Sequence, residues 1–228
     1  MQSRPESINP EHVVYWYFRL NGCFTFTNFF LHHQDTANTM TEFDLVAVRF
    51  PYRIELDKAP QGAMVDDPLF TELSNSGYVE VFIVDSKYTS SVPKPNPSWL
   101  RSDDVYREIL KRTGVFPESE IVNNVAPALS GNGTYKDETR HIRVRVCIVA
   151  KTMGLVPKAQ ILSFEDTVLP FIYNRFRKYA PQKSNVGTWE LGGRNLRRWV
   201  SQSDTLELFK ARAISAMDKH IVPARQPR

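Results

Sequence analysis

Two cysteines in 228 residues are too few for a disulfide framework. Cys23 and Cys147 both stand in apolar surroundings and read as buried thiols of a reducing compartment, the cytoplasm. No run approaches the roughly 18 apolar residues of a membrane span. The polar opening MQSRPESINPE has no apolar signal segment, so neither a membrane nor secretion is expected. His12, His32 and His33 come without Cys-x-x-Cys or His-x-x-x-His spacing, so no zinc site is indicated. Gly-x-Ser-x-Gly is missing, and neither cysteine has the setting of an activated nucleophile. Gly-x-x-x-x-Gly-Lys is missing as well, which removes the usual loop for nucleotide hydrolysis. There is no internal repeat and no low-complexity tract.

What is present is a globular composition with an uneven charge. Hydrophobic residues make up 42%, enough to build a real core. Residues 1–138 carry 12 Lys/Arg against 19 Asp/Glu, whereas residues 139–228 carry 17 against 6. An acidic half suits cation ligands and a basic half suits phosphate contacts; an ordinary solvated basic surface is the plainer alternative. Arg194, Arg197 and Arg198, near Trp189, are the candidate contacts to phosphates and bases. The plainer reading there is a packed tryptophan beside solvated arginines.

The chain is organised around residues 78–87, YVEVFIVDSK. The run is apolar almost throughout, as a strand buried on both faces should be, yet it ends in Asp85-Ser86-Lys87. Side chains two apart on a strand share a face, so Asp85 and Lys87 project together. Residues 43–50, FDLVAVRF, form a second apolar strand with Asp44 at its start. If the strands pair, Asp44 and Asp85 can share a divalent cation beside Lys87. One or two carboxylates completed by phosphate oxygens make a typical Mg²⁺ site. The alternatives are a strand-end ion pair for Asp85 and Lys87, and capping or pairing with Arg49 or Arg53 for Asp44. Glu42 and Glu80 are expected to be structural.

At these residues the chain resembles the PD-(D/E)xK nuclease superfamily, with Asp44 as the first acid and Asp85-Ser86-Lys87 as the (D/E)-x-K. Phe43 stands where the motif's name has proline, and residues 51–77 lengthen the gap. The resemblance covers about residues 9–151. It implies an α/β fold: a restriction-endonuclease-like mixed central sheet flanked by helices, with a basic helical C-terminal extension. Residues 1–160 would form the nuclease-like core and 161–228 the extension, within the same domain. It further implies Mg²⁺ (or Mn²⁺) held by Asp44, Asp85 and Glu11, the acid matching the one many members carry on the first helix. Glu11 can equally serve only the helix dipole. Lys87 would position water. The implied activity is phosphodiester hydrolysis, with DNA preferred, in phage defence, restriction or repair. A homodimer or a partner protein is compatible with the family. The runner-up is a nuclease-like module that binds nucleic acid or a protein without cutting.

The remaining pattern predicts a helix over 9–20 capped by Asn9 and stopped at Gly22, then a strand over 23–31. Residues 51–77 read as an insertion with a short strand at 52–56 and a helix near 68–74. Residues 90–98, with three prolines, read as an extended loop. Helices follow over 103–113, capped by Ser102, and within 117–129. Strands are expected over 141–151 and 158–164, helices over 169–179 and 204–219, a polar segment with no assigned element over 181–198, and a disordered tail.

Overall fold

The computed structural model describes residues 6–32, 39–55, 64–74, 76–89, 102–151, 159–182 and 189–221, with residues 28–32, 39–42 and 74 described as backbone only. The chain opens with helix α1, Pro10–Leu20. Asn9 caps it by accepting from the Glu11 amide at 3.0 Å, and Pro10 supplies the first helical position, where a missing N–H costs nothing. Gly22, at φ +77°, turns the chain out of the helix.

Three strands then form an antiparallel meander: β1 Phe24–His32, β2 Thr39–Arg49 and β3 Val79–Lys87. The short helix α2, Pro68–Ser74, lies in the β2–β3 connection, as expected; residues 51–55 are not a strand. A helical crossover follows: α3 Asp103–Thr113, α4 Glu118–Glu120, a π-helical turn Ile121–Val125, and α5 Ala126–Asn132. It delivers the chain to the hairpin of β4, Thr134–Asp137, and β5, Ile142–Ala150. Strand β5 runs parallel to β3, and β6, Gln160–Ser163, runs parallel to the end of β5. The six-stranded mixed sheet has the order β1-β2-β3-β5-β4, with β6 beside β4 on the outer side of β5. After a second π-helical turn, Phe164–Val168, come α6 Leu169–Lys178, α7 Leu191–Ser201 and α8 Leu206–Ile221.

The alternation of β3 explains its unbroken apolar sequence. Phe82 and Val84 join Leu45, Ala47, Cys147 and Val149 in a core closed by α1, α6, α7 and α8. Val81 and Ile83 join Val46, Val144 and Val146 under α3 and α5. The first core draws on both halves of the chain, so the basic C-terminal helices pack on the same sheet as α1. Both cysteines are buried free thiols; burial raises the thiol of Cys147 to about 12 and pushes that of Cys23 up as well.

At the edge of the sheet the cover is thinner. Strand β1, FTFTNFFLH, carries no charged residue, and its Phe24 and Phe26 are 65% and 56% exposed. Among the described residues no strand pairs with its outer side.

Glu80 is structural, as the sequence suggests. It is fully buried on β3 and meets Arg143 at 2.9 Å and Arg145 at 3.1 Å on β5. Glu80→Ala strands two guanidiniums on the sheet. Because both are partly exposed, the expected cost is about 3 kcal/mol, the lower end of the range for breaking a buried pair. Urea unfolding of the variant with an unchanged m-value measures it.

Two more features depart from the sequence reading. Residues 181–198 do hold a regular element, because α7 starts at Leu191. Glu190 caps it, accepting from the Gly192 and Gly193 amides at 2.5 and 2.8 Å, and also from the Trp16 indole. The glycine pair is there for close approach: a Cβ on Gly193 would overlap the Trp16 ring. Strand β4 was not expected at all, since its four residues alternate too briefly to signal themselves. The proposed loop at 90–98 and the tail from 222 lie outside the described residues, as do the side chains of His32, His33 and Glu42.

Candidate active site

Asp44, Asp85 and Lys87 meet at one end of the sheet. The β2–β3 ladder is regular from Arg49↔Glu80 to Leu45↔Val84 and stops there. At the next position the Asp44 side chain replaces the backbone as acceptor: its Oδ2 takes the Ser86 amide at 2.6 Å. Asp44 thus lies six residues into β2, not at its start, but it does stand where the ladder with β3 ends. Across from it Asp85 is only 2% exposed. Its Oδ1 meets the Lys87 ammonium at 2.8 Å, as expected of two side chains on one strand face. Its Oδ2 is buried and meets no N–H donor among the described residues.

The electrostatics of the pair are strained. Burial raises the Asp44 carboxyl to about 8. The Ser86 amide opposes that rise, while the charges of Asp85 and Glu11 and a hydrogen bond shared with Asp85 reinforce it. Two carboxyl groups this close cannot both ionise without a counter-charge. Lys87 supplies one, and its side chain is 27% exposed, so it faces both the pair and solvent.

Glu11, on the first turn of α1, is near enough for its charge to act on Asp44. Its carboxylate accepts from the Asn9 side chain at 3.3 Å. Among the described residues no group of three or more His, Cys, Asp and Glu side chains is placed to hold a metal ion. The two-carboxylate arrangement therefore has Glu11 as a charged neighbour. Tyr106, from α3, is the residue that sequence reasoning passed over. It is buried, and burial together with the Asp85 charge pushes its phenol up. Only the packing of α3 on β3 brings the two together, and no local pattern announces it.

The three arginines are not equivalent. Arg198 pairs with Glu6 at 2.9 Å and also donates to Asn195. Arg197 donates to the Ala180 carbonyl at 3.3 Å. Arg194 is exposed on α7. Trp189 packs against Trp16 and Phe176, with ring centroids 4.7 and 5.7 Å apart, so its ring belongs to the α1–α6–α7 corner. His12 lies 4.0 Å from Glu190 at the same corner.

The residues at the sheet end fit a divalent cation on two grounds. One buried carboxylate oxygen meets no N–H donor among the described residues, and burial, reinforced by the charges of Asp85 and Glu11, raises the neighbouring Asp44 carboxyl. A hard cation takes oxygen ligands of that kind and is content with one or two carboxylates. No helix among the described residues is long and apolar enough to cross a membrane. Compared with known proteins, the chain matches no family model, no curated protein and no solved structure.

Proposed function

We propose that the protein is a Mg²⁺-dependent nuclease of the PD-(D/E)xK type, acting on DNA in preference to RNA. The observation that carries the reading is the convergence of Asp44, Asp85 and Lys87 where the β2–β3 ladder ends. The element order supports it: a helix, an antiparallel meander with acids on its second and third strands, a helical crossover and a parallel strand.

Asp44 and Asp85 are the residues that would hold Mg²⁺, and Mn²⁺ could substitute. When bound, the cation supplies Lewis-acid polarisation of the phosphodiester and lowers the pKa of water. The chain's own residues do the rest. Asp85 fixes the Lys87 ammonium at 2.8 Å, so that its charge is held where negative charge develops on the phosphate and where an attacking water needs orienting. The Ser86 amide holds Asp44 in place, so the carboxyl keeps its aim whether or not it carries a proton. Glu11 adds negative potential at Asp44 that attracts positive charge, and a divalent cation carries twice that of a proton.

The test is incubation of the purified protein with supercoiled, linear and single-stranded DNA, and with RNA, in Mg²⁺, Mn²⁺ or EDTA. Cleavage that needs the cation is expected. Binding without cleavage on every substrate would favour a non-cutting nucleic-acid or protein-binding module.

The basic half gives a graded expectation. Replacing Arg194, Arg197 and Arg198 together should flatten the salt dependence of DNA binding by fewer than three units of log–log slope, because each true phosphate contact contributes about 0.9. Arg198 and Arg197 already have protein partners. Arg194→Ala alone should therefore account for the largest part of the change. A titration of affinity against NaCl reads this directly, and an unchanged slope moves the binding surface elsewhere.

A further inference from the structure

The parallel strands β3 and β5 end level with each other. Asp85 lies opposite Ile148, and Lys87 lies opposite Ala150. One step further along, the two chains carry Tyr88 and Lys151. Neighbouring strands lie about 4.8 Å apart, so Lys151 stands at the same sheet end as Asp44, Asp85 and Lys87. The carboxyl ends of parallel strands are where open α/β sheets gather their ligands.

The two lysines leave the sheet on different sides. Asp85 and Lys87 share the face of Val81 and Ile83, which lies under α3 and α5. Tyr88 turns to the other face and is buried in the core closed by α1, α6, α7 and α8. The Lys151 ammonium lies over its ring, 5.0 Å from the centroid. The sheet end is thus straddled by two cations, one on each face.

Lys151 is steadied without being tied. The Tyr88 hydroxyl donates to Oδ1 of Asp218, on α8, at 2.9 Å. The same oxygen lies 3.6 Å from the Lys151 ammonium, which holds the charge in place but is too far for a hydrogen bond. The Tyr88 ring attracts the cation through its face and accepts none of its N–H groups in the ordinary sense. Among the described residues the ammonium has no hydrogen-bond acceptor, and the side chain is 36% exposed. Lys87, by contrast, is bound to Asp85 at 2.8 Å. The acids of this corner are Asp218 and Glu165, whose charges both reach the Tyr88 phenol. Lys151 itself, with Lys219 and His220 on the last turn of α8, stands against them.

We propose that Lys151 is a second phosphate contact of the nuclease site, an inference that rests on the nuclease reading. It holds a backbone phosphate next to the scissile one, across the sheet end from Lys87. Its open N–H groups meet the phosphate oxygens, and the strand is laid over the end of β3 so that the scissile group falls at Asp44 and Asp85. Lys151 touches no reacting atom, so its part is to position the substrate.

Binding and cleavage by the full chain test this together. Lys151→Gln keeps much of the stem over Tyr88 and removes the charge. Its affinity for duplex DNA in EDTA should fall roughly five- to tenfold at 0.1 M NaCl, and the log–log salt slope should flatten by about 0.9, the share of one phosphate contact. With Mg²⁺, KM should rise by a similar factor while kcat stays within about twofold. Lys151→Arg keeps the charge and should restore both. Lys136→Ala removes one positive charge near the start of β3, at the far end of the sheet, and should leave the slope unchanged. Thermal melts establish folding, and Lys151→Ala replaces the glutamine variant if that one does not fold. A wild-type slope in the folded variant, or equal flattening in Lys136→Ala, overturns the proposal. Binding without cleavage by the wild type counts against the nuclease reading alone, because the slope still reports on Lys151. A wild type that holds no DNA overturns both.

Discussion

Asp85→Ala and Lys87→Ala should each reduce cation-dependent cleavage by at least about 10²–10³-fold, the usual loss when a group that stabilises transition-state charge is removed. Both proteins should still fold. Asp85 makes one ion pair, with the partly exposed Lys87, and its other oxygen meets no N–H donor among the described residues, so truncating it gives up little. Lys87 is partly exposed, so its loss opens no large cavity. The two should part company in binding. Without metal, Asp85→Ala removes negative charge from the phosphate path and should hold DNA as well as the wild type or better. Lys87→Ala removes a favourable charge and should bind less tightly. Melts establish folding first, and cleavage and gel-shift assays on the same samples follow. A folded Asp85→Ala protein that cuts at the wild-type rate would sink the mechanism.

The second large effect is a pH dependence set by Asp44. Its carboxyl is raised to about 8 in the folded chain, against about 3.9 in an unfolded one. The folded state therefore holds the proton more tightly. That preference is fully present below about pH 4 and is lost as pH rises toward 8, so the metal-free protein should become less stable over that window. Asp44→Asn keeps the acceptor for the Ser86 amide and removes the ionisation. In EDTA it should melt higher than the wild type at pH 8, by an amount on the order of 1–3 kcal/mol, and the difference should shrink at pH 5. Mg²⁺ competes with the proton for Asp44. Its stabilisation of the wild type should then be larger at pH 8.5 than at pH 6, and absent or much reduced in Asp44→Asn. Parallel slopes of Tm against pH for the two proteins would show that Asp44 does not carry the effect.

Much of this was readable from the chain because it rests on local rules. Asn9 and Pro10 mark the start of α1, and the continuous apolar run of β3 signals burial on both faces. The period of two puts Asp85 and Lys87 side by side. What escaped depends on distance. The bond from Ser86 to Asp44 spans a 42-residue separation, and the point where two strands part cannot be read from either alone. Tyr106 reaches the neighbourhood of Asp85 only through the crossover that lays α3 on the sheet. Helix α7 was hidden because Gly192 and Gly193 occupy its first turn, where glycine weakens a helical pattern. Gly193 finds its reason in Trp16, 177 positions earlier, whose ring needs the backbone bare, while Gly192 sits tight against the Glu190 carboxylate and His12. Arg198 looked like a free cation until Glu6, 192 residues away, took it.

The uncharged strand β1 has a consequence for how the protein behaves in a crowded tube or cell. Among the described residues its outer row of amides and carbonyls is unpaired, a template for another strand, and β1 itself carries no lysine, glutamate or proline to guard it. Phe24 and Phe26 lie on one face of the strand, and β1 has no charged residue to repel an identical row. Partial opening of the chain leaves that template in place while freeing other strands to dock on it. Loss of material on heating should then run through sheet extension and depend steeply on protein concentration, with recovery falling well before unfolding is complete.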